Sequence, residues 1–179
     1  TTSHISASAA WPHPRNRQAR IAINPVANSK NLLVFLTGGG ACWERTTCVQ
    51  VSTASKGPFT KVQFEQLKGM VGGSILDRNL AGTPFKDYSL VFIPYCTGDV
   101  HTGRAVTVYS DPAGIEPDLE FHHNGHDNVM GAIDWMSGQF PKIPRMLVTG
   151  CSAGGAGGSR SVAGAGNAVG SPGSRAGVL

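Results

Sequence analysis

Gly150-Cys151-Ser152-Ala153-Gly154-Gly155, carried in by the apolar run Met146-Leu147-Val148-Thr149, is the stretch on which the reading of this chain turns. An apolar strand that delivers Gly-x-Ser-x-Gly has the form of a nucleophile elbow, in which small residues flank the serine because the strand-to-helix turn leaves no room for larger side chains. Ser152 then reads as a nucleophile; the plainer alternative is a hydroxyl that caps the following helix. In a chain with 24 glycines the five-residue pattern is weak by itself. Its weight rests on a strand before it and a helix after it.

A second stretch bears on the first. Asn31-Leu32-Leu33-Val34-Phe35-Leu36-Thr37 has the length and composition of a buried parallel strand, and it empties into Gly38-Gly39-Gly40-Ala41-Cys42. In α/β-type serine hydrolases a glycine-rich loop after an early strand turns one backbone N–H toward the substrate carbonyl, and the residue after the serine supplies another. Gly40 or Ala41, together with Ala153, are the corresponding candidates for an oxyanion hole. Taken alone, the triple glycine could equally be a flexible turn. The two stretches together, in this order and behind two strands, favour a hydrolase.

The composition is that of one globular domain of 179 residues with an ordinary apolar fraction. No run of eighteen apolar residues is present, so no membrane span is expected. A formal net charge of +4, with Arg15, Arg17 and Arg20 close together, would suit a polyanionic substrate but reads more readily as a solvated face, and no nucleic-acid partner is expected. Thr1 opens the chain without a basic and apolar leader, which suggests a removed leader or a piece of something longer. Four cysteines without a CxxC pair read best as disulfides formed in an oxidising compartment: Cys42 with Cys48, and Cys96 with Cys151 across neighbouring strand ends. Four buried thiols are the alternative.

The remaining elements follow in order. Residues 1–18, broken by Pro12 and Pro14, read as an extended lead-in, and residues 20–23 as a short strand. Residues 46–58 form a polar surface loop, and residues 60–70 a helix stopped near Gly72-Gly73. A buried strand over residues 88–96 runs into Thr97-Gly98-Asp99-Val100-His101-Thr102-Gly103. Loops at the carboxyl ends of parallel strands line the ligand crevice, which makes Asp99 and His101 candidates for substrate binding; the alternative is that they satisfy their own turn. Residues 128–140 carry a helical stripe, Val129, Ala132, Ile133, Met136 and Phe140. Just before it, His122, His123, His126 and Asp127 have the chemistry of a metal site, but Gly125 interrupts the helical spacing. Helix capping by Asn124 or Asp127 is the favoured reading, and no metal or other cofactor is expected. Residues 159–179 are rich in glycine and read as a disordered tail. On that reading the strand before Ser152 lies at an open sheet edge, and the chain alone is poorly soluble or partly molten.

Four blocks, "FLTGGGACWERTTC", "FIPYCTGDVHTG", "FHHNGHDNVMGAIDWM" and "VTGCSAGG", together resemble the pectin acetylesterase and Notum family of carbohydrate and protein-lipid deacylases across residues 20–158. The resemblance implies an α/β-hydrolase fold, a mostly parallel sheet flanked by helices, over residues 19–158. It further implies secretion to the extracellular space or periplasm and hydrolysis of an ester, such as an acylated polysaccharide, without a metal. By position Ser152 is similar to the family's nucleophile, and Gly40, Ala41 and Ala153 to its oxyanion hole. Many relatives place a tryptophan directly after the third glycine; here Ala41 and Cys42 intervene before Trp43, a candidate substrate contact. The family's triad runs Ser, then Asp or Glu, then His, yet no Asp, Glu or His follows Ser152 in this chain. The chain therefore reads as a portion truncated after the elbow, with a non-catalytic carbohydrate-binding module as the alternative and a metal-dependent hydrolase using residues 122–127 as a third reading. Acyl group, carrier and oligomeric state stay open.

Overall fold

A computed structural model describes residues 21–55, 59–141, 144–159 and 175–178. The expected lead-in over residues 1–18 lies outside them. The core is a five-stranded sheet in the order β1-β3-β2-β6-β7, built from β1 (Ala22–Asn24), β2 (Asn31–Leu36), β3 (Ser89–Ile93), β6 (Arg145–Gly150) and β7 (Arg175–Val178). β2 runs parallel to both β3 and β6, β7 runs parallel to β6, and β1 is antiparallel at the far edge. Helix α1 (Lys61–Val71) lies between β2 and β3 in sequence, and α2 (Gly125–Gln139) between β3 and β6.

The strand period of two sorts the side chains of β2 onto two faces. Leu32, Val34 and Leu36 join Val91, Ile93, Met146 and Val148 beneath Val129, Ala132, Ile133 and Met136 of α2. Leu33 packs on the other face with Leu90 and Phe92, and Phe64, Leu67 and Val71 of α1 lean on that cluster. Helices thus cover both faces of a mixed α/β sheet, which explains why β2 and β3 read as continuous apolar runs rather than alternating ones. Each fully buried Leu, Ile or Val side chain here stabilises the fold by about 1.5–3 kcal/mol.

The helix boundaries have local causes. Thr60 is the N-cap of α1: its hydroxyl accepts from the N–H of Val62, 3.2 Å, while Gln63 Oε1 accepts from the N–H of Thr60, 2.9 Å, a reciprocal capping box. α2 begins at Gly125, earlier than the apolar stripe alone indicates, and neither Asn124 nor Asp127 caps it with a side-chain bond. Asp99 does so from a distant loop, its Oδ2 accepting from the N–H of Gly125 at 2.6 Å.

Three features depart from the sequence expectations. An antiparallel hairpin, β4 (Ala105–Tyr109) with β5 (Leu119–His123), stands apart from the main sheet. A short π-helical turn, Thr46–Gln50, occupies part of the expected polar loop. The third is β7, which lies in the stretch expected to be a disordered tail: it pairs with β6 through Arg145↔Arg175 to Val148↔Val178. The strand before Ser152 accordingly has a neighbour on each side, so the expected open edge at β6 is not found. A parallel partner needs only backbone N–H and C=O groups, which a glycine-rich sequence supplies as well as any other. The rest of that stretch, residues 160–174, lies outside the described residues.

Candidate active site

β2 and β6 are adjacent and parallel, and their register pairs Leu36 with Gly150. The two strands therefore end flush. The glycine loop that follows β2 and the turn that follows β6 leave the sheet side by side, at the carboxyl ends where open α/β sheets bind ligands.

At the turn Ser152 has φ +55, a left-handed conformation that costs an L-residue about 1–2 kcal/mol. Its side chain is exposed, and residues 153–159 are helical. The carbonyl of Ser152 accepts the first helical bond, from the N–H of Ala156 at 3.2 Å. Its hydroxyl forms no hydrogen bond among the described residues, so the capping role considered for it is not seen. Gly154 explains why the turn tolerates only small residues: a Cβ there would lie 2.0 Å from the carbonyl oxygen of Leu36. The elbow helix rests directly on the end of β2.

The glycine loop touches the elbow. A Cβ on Gly38 would come within 3.1 Å of the Ser152 Cβ and 2.4 Å of the Cys151 carbonyl oxygen. Gly40, at φ +75, forms an antiparallel bridge with Ala54, and the N–H of Ser55 donates to the Gly39 carbonyl at 2.6 Å. In this register Gly40 and Ala54 are a non-hydrogen-bonded pair, so the N–H of Gly40 points away from residues 53–55. Ala41 faces Thr53, whose hydroxyl donates to the Ala41 carbonyl at 2.6 Å. Ala153 is buried in the first turn of the elbow helix.

Beyond the loop, Cys42 and Cys48 form the expected disulfide, buried with Ala54 and flanked by Tyr109 and Phe121. The N–H of Cys42 donates to the Gly98 carbonyl at 2.8 Å, tying the clamp to the loop after β3. Trp43, inside the clamp, is 66% exposed. Arg45, also within it, is buried and reaches the hairpin through Glu116 at 2.6 Å and the carbonyls of Tyr109 and Pro117 at 2.9 and 3.1 Å. The hairpin thereby becomes a brace for the disulfide loop.

The second expected disulfide is absent: Cys96 and Cys151 are free thiols. The strand order gives the reason. β2 lies between β3 and β6, which sets the two strand ends about 10 Å apart, whereas a disulfide needs Cα atoms within about 7 Å. The Cys96 thiol is pushed up to about 11 by burial and by the nearby Asp99 carboxylate, while Cys151 is exposed. In unreduced protein, peptide mapping should find Cys42 linked to Cys48. A thiol reagent at neutral pH should modify Cys151 rapidly and Cys96 only slowly. Equal rates at the two would contradict this arrangement.

Asp99 and His101 are held by their own surroundings. Asp99 Oδ1 accepts from the Thr97 hydroxyl at 2.6 Å and the His101 N–H at 3.2 Å, and its Oδ2 from Gly125. His101 is 3% exposed, and its Nε2–H donates to the Thr37 carbonyl at 2.9 Å. Burial lowers its pKa below the ordinary histidine value, against the opposing pull of the Thr37 bond and the Asp99 charge. The ring is therefore neutral at pH 7, with its proton on Nε2.

The histidines of residues 122–127 do not converge. His122 and His123 are consecutive on β5 and so face opposite sides. His122 Nε2 meets Glu120 at 3.0 Å, while His123 donates from Nδ1 to the Thr97 carbonyl at 3.0 Å and accepts at Nε2 from the Tyr109 hydroxyl at 2.8 Å. Asp127 pairs with Arg104 at 3.1 Å, and the backbone N–H of His126 donates to the Gly103 carbonyl. Among the described residues no group of three metal-binding side chains comes together.

Sequence reading passed over Thr37 and Tyr95, which join the two loops: the N–H of Tyr95 donates to Thr37 Oγ1 at 2.8 Å. It also passed over the hairpin, although Asp111-Pro112-Ala113-Gly114 is a turn signal between two short β-rich segments. Asp111 accepts three backbone bonds there, from Glu116, Ala113 and Ile115, and these lower its pKa.

Two comparisons with known proteins bear on this site. Residues 24–163 match the family model described as Pectinacetylesterase. Palmitoleoyl-protein carboxylesterase NOTUM from Schmidtea mediterranea is 28% identical over 130 residues, which make up 72% of this chain and 23% of that protein. The chain thus spans less than a quarter of that relative's length.

Proposed function

Because the chain belongs to the pectinacetylesterase family, we propose that it carries the nucleophile half of a serine carboxylesterase site of the α/β-hydrolase type, acting on an acylated polysaccharide such as pectin. The observation that carries this reading is the exposed, left-handed Ser152 at the end of β6, flush with the glycine loop after β2. In the proposed reaction a base removes the Ser152 proton, Oγ attacks the ester carbonyl, and the alcohol of the carrier departs. Water then cleaves the acyl-enzyme to release the acid. The N–H groups of Gly40 and Ala153 would receive the oxyanion, which develops only as the carbonyl becomes tetrahedral. Ala41 is the weaker candidate, since it faces Thr53 across the bridge. Trp43 is a contact for the carrier, at the exposed rim of the disulfide clamp.

Asp99 and His101 fit the role of framework better than that of substrate contacts. No Asp, Glu or His follows Ser152 in these 179 residues, so none of them can fill the acid and base positions in the order Ser, acid, His. The disulfide between Cys42 and Cys48 supports an exported protein. Among the described residues no helix is long and apolar enough to cross a membrane.

In protein expressed from its complete gene, a fluorophosphonate probe is expected to label Ser152. Labelling that persists in Ser152→Ala would overturn the proposal. A second reading, a carbohydrate-binding module without turnover, is favoured by the missing acid and base. It predicts that the complete protein binds acetylated oligosaccharides without releasing acetate, and acetate release that depends on Ser152 would eliminate it.

A further inference from the structure

We infer that Asp99 and His101 are positioning residues that lock the glycine loop after β2 against the nucleophile elbow. Three contacts converge on this short segment. Through Nε2–H, His101 holds the carbonyl of Thr37, the residue that leads into Gly38, Gly39 and Gly40. On its other side the segment meets the elbow helix: a Cβ on Gly157 would lie 2.7 Å from both the His101 Cβ and the Val100 carbonyl oxygen. Asp99 then fixes the segment to α2 and to itself, accepting from Gly125, Thr97 and His101. The loop and the elbow each touch the same side chain.

The backbone supports this reading. Val100 and His101 are consecutive non-glycine residues at φ +58 and +61, a costly conformation for a β-branched residue in particular. It persists because neighbours hold it. The N–H of Val100 donates to the Tyr95 hydroxyl at 2.8 Å, and the Tyr95 ring lies 4.8 Å from the His101 ring. Tyr95 in turn takes the Thr37 hydroxyl through its own N–H. Thr37 is thus fixed at its carbonyl, its hydroxyl and its N–H, the last donating to Ile93 at 3.0 Å. Immobilising the residue that leads into the loop bearing Gly40, a proposed oxyanion donor, keeps that loop from relaxing when charge develops. The catalytic value of the lock rests on the esterase reading; the lock itself does not.

Among the described residues the titratable groups facing the His101 ring are Asp99 from its own loop and Tyr95 from beyond the end of β3. The residue after β2, Thr37, and Gly157 of the elbow helix are uncharged. The neutral ring is the form that fits this buried site. As pH falls below the ordinary histidine value of 6.5, the unfolded or opened chain takes up a proton before the closed form does, and the lock weakens.

Amide hydrogen exchange on the 179-residue chain, corrected for the intrinsic effect of pH, tests the lock. In wild type the peptide covering residues 38–41 is expected to exchange faster at about pH 5.5 than at about pH 7.5, with α1 unchanged as an internal reference. His101→Leu should raise exchange over residues 38–41 and 152–157 about tenfold at neutral pH, because it removes the donor to Thr37. His101→Gln keeps an N–H donor without a titrating ring, so protection should return and the pH step should vanish. A pH step that survives in His101→Gln, or equal loosening of α1, would overturn the lock. Should His101→Leu fail to fold, wild type against His101→Gln still decides it. Absence of fluorophosphonate labelling at Ser152 in the complete protein, with these exchange patterns intact, would sink the esterase reading and leave the lock standing.

Discussion

Hydrolysis of an aryl acetate by the 179-residue chain is expected to equal that of its Ser152→Ala variant. A serine hydroxyl is a poor nucleophile until a base takes its proton, and among the described residues no histidine is hydrogen-bonded to the Ser152 hydroxyl. His101 is buried with its Nε2–H on Thr37, His122 faces Glu120, and His123 is bonded through both ring nitrogens. His126 sits at the start of α2, with its backbone N–H on the Gly103 carbonyl at 2.9 Å. No acidic residue or histidine follows Ser152 to replace them. Removing a triad member lowers kcat by about 10⁴–10⁶, and what survives from oxyanion binding is about 10³–10⁴ over water. That residue of rate needs no nucleophilic Ser152, so the chain and its Ser152→Ala variant share it. Turnover that depends on Ser152 in this chain would mean that one of the upstream histidines reaches Oγ, and would redraw the site.

The largest effect on stability is expected from Gly154→Ala. The new Cβ would sit 2.0 Å from the Leu36 carbonyl oxygen, 2.6 Å from its carbon and 2.9 Å from the Thr37 carbonyl oxygen. All three are backbone atoms, and β2 cannot retreat because β3 and β6 hold it on both sides. Overpacking usually costs about 1–3 kcal/mol, and a clash with fixed backbone belongs at or above the top of that range. A loss of about 3 kcal/mol would lower Tm by roughly 10 °C, a large part of the margin of a domain this size. Gly69→Ala supplies the contrast. Gly69 lies inside α1 with nothing within 4 Å of its Cβ position, and alanine there should stabilise by about 0.5–1 kcal/mol. Thermal melts in which Gly154→Ala matches wild type would show that the elbow packs less closely on β2 than described.

The parts of this fold that were legible in sequence are those whose side chains declare their burial. Leu32 to Leu36, Leu90 to Ile93 and Met146 to Val148 are apolar on both faces because α1 and α2 cover both faces. The hairpin was not legible because Val106 and Val108 of β4 are exposed, so its pattern of apolar residues does not report a core. β7 was missed because Arg175, Ala176, Gly177 and Val178 carry no strand signature; the neighbouring strand selects them. In the site, Ser152 and the three glycines stood out because their local conformations demand particular residues. The pairing of Cys96 with Cys151 failed for a different reason: it needed the lateral order of strands, and residue identity does not state that β2 separates β3 from β6. The same blindness hid the cap that Asp99 places on α2, which spans 26 residues of sequence.

The flush pairing of Leu36 with Gly150 also sets an order of events during synthesis. β2 emerges early and finds β3 next, but β6 follows only after the hairpin and α2 have been made. Through that interval one edge of a strand whose side chains are almost all apolar stands open, a template for wrong pairing with other copies of the chain. Contacts so distant in sequence close slowly. The glycine loop acquires its wall last, when the elbow arrives, so loop and elbow mature in the same late step.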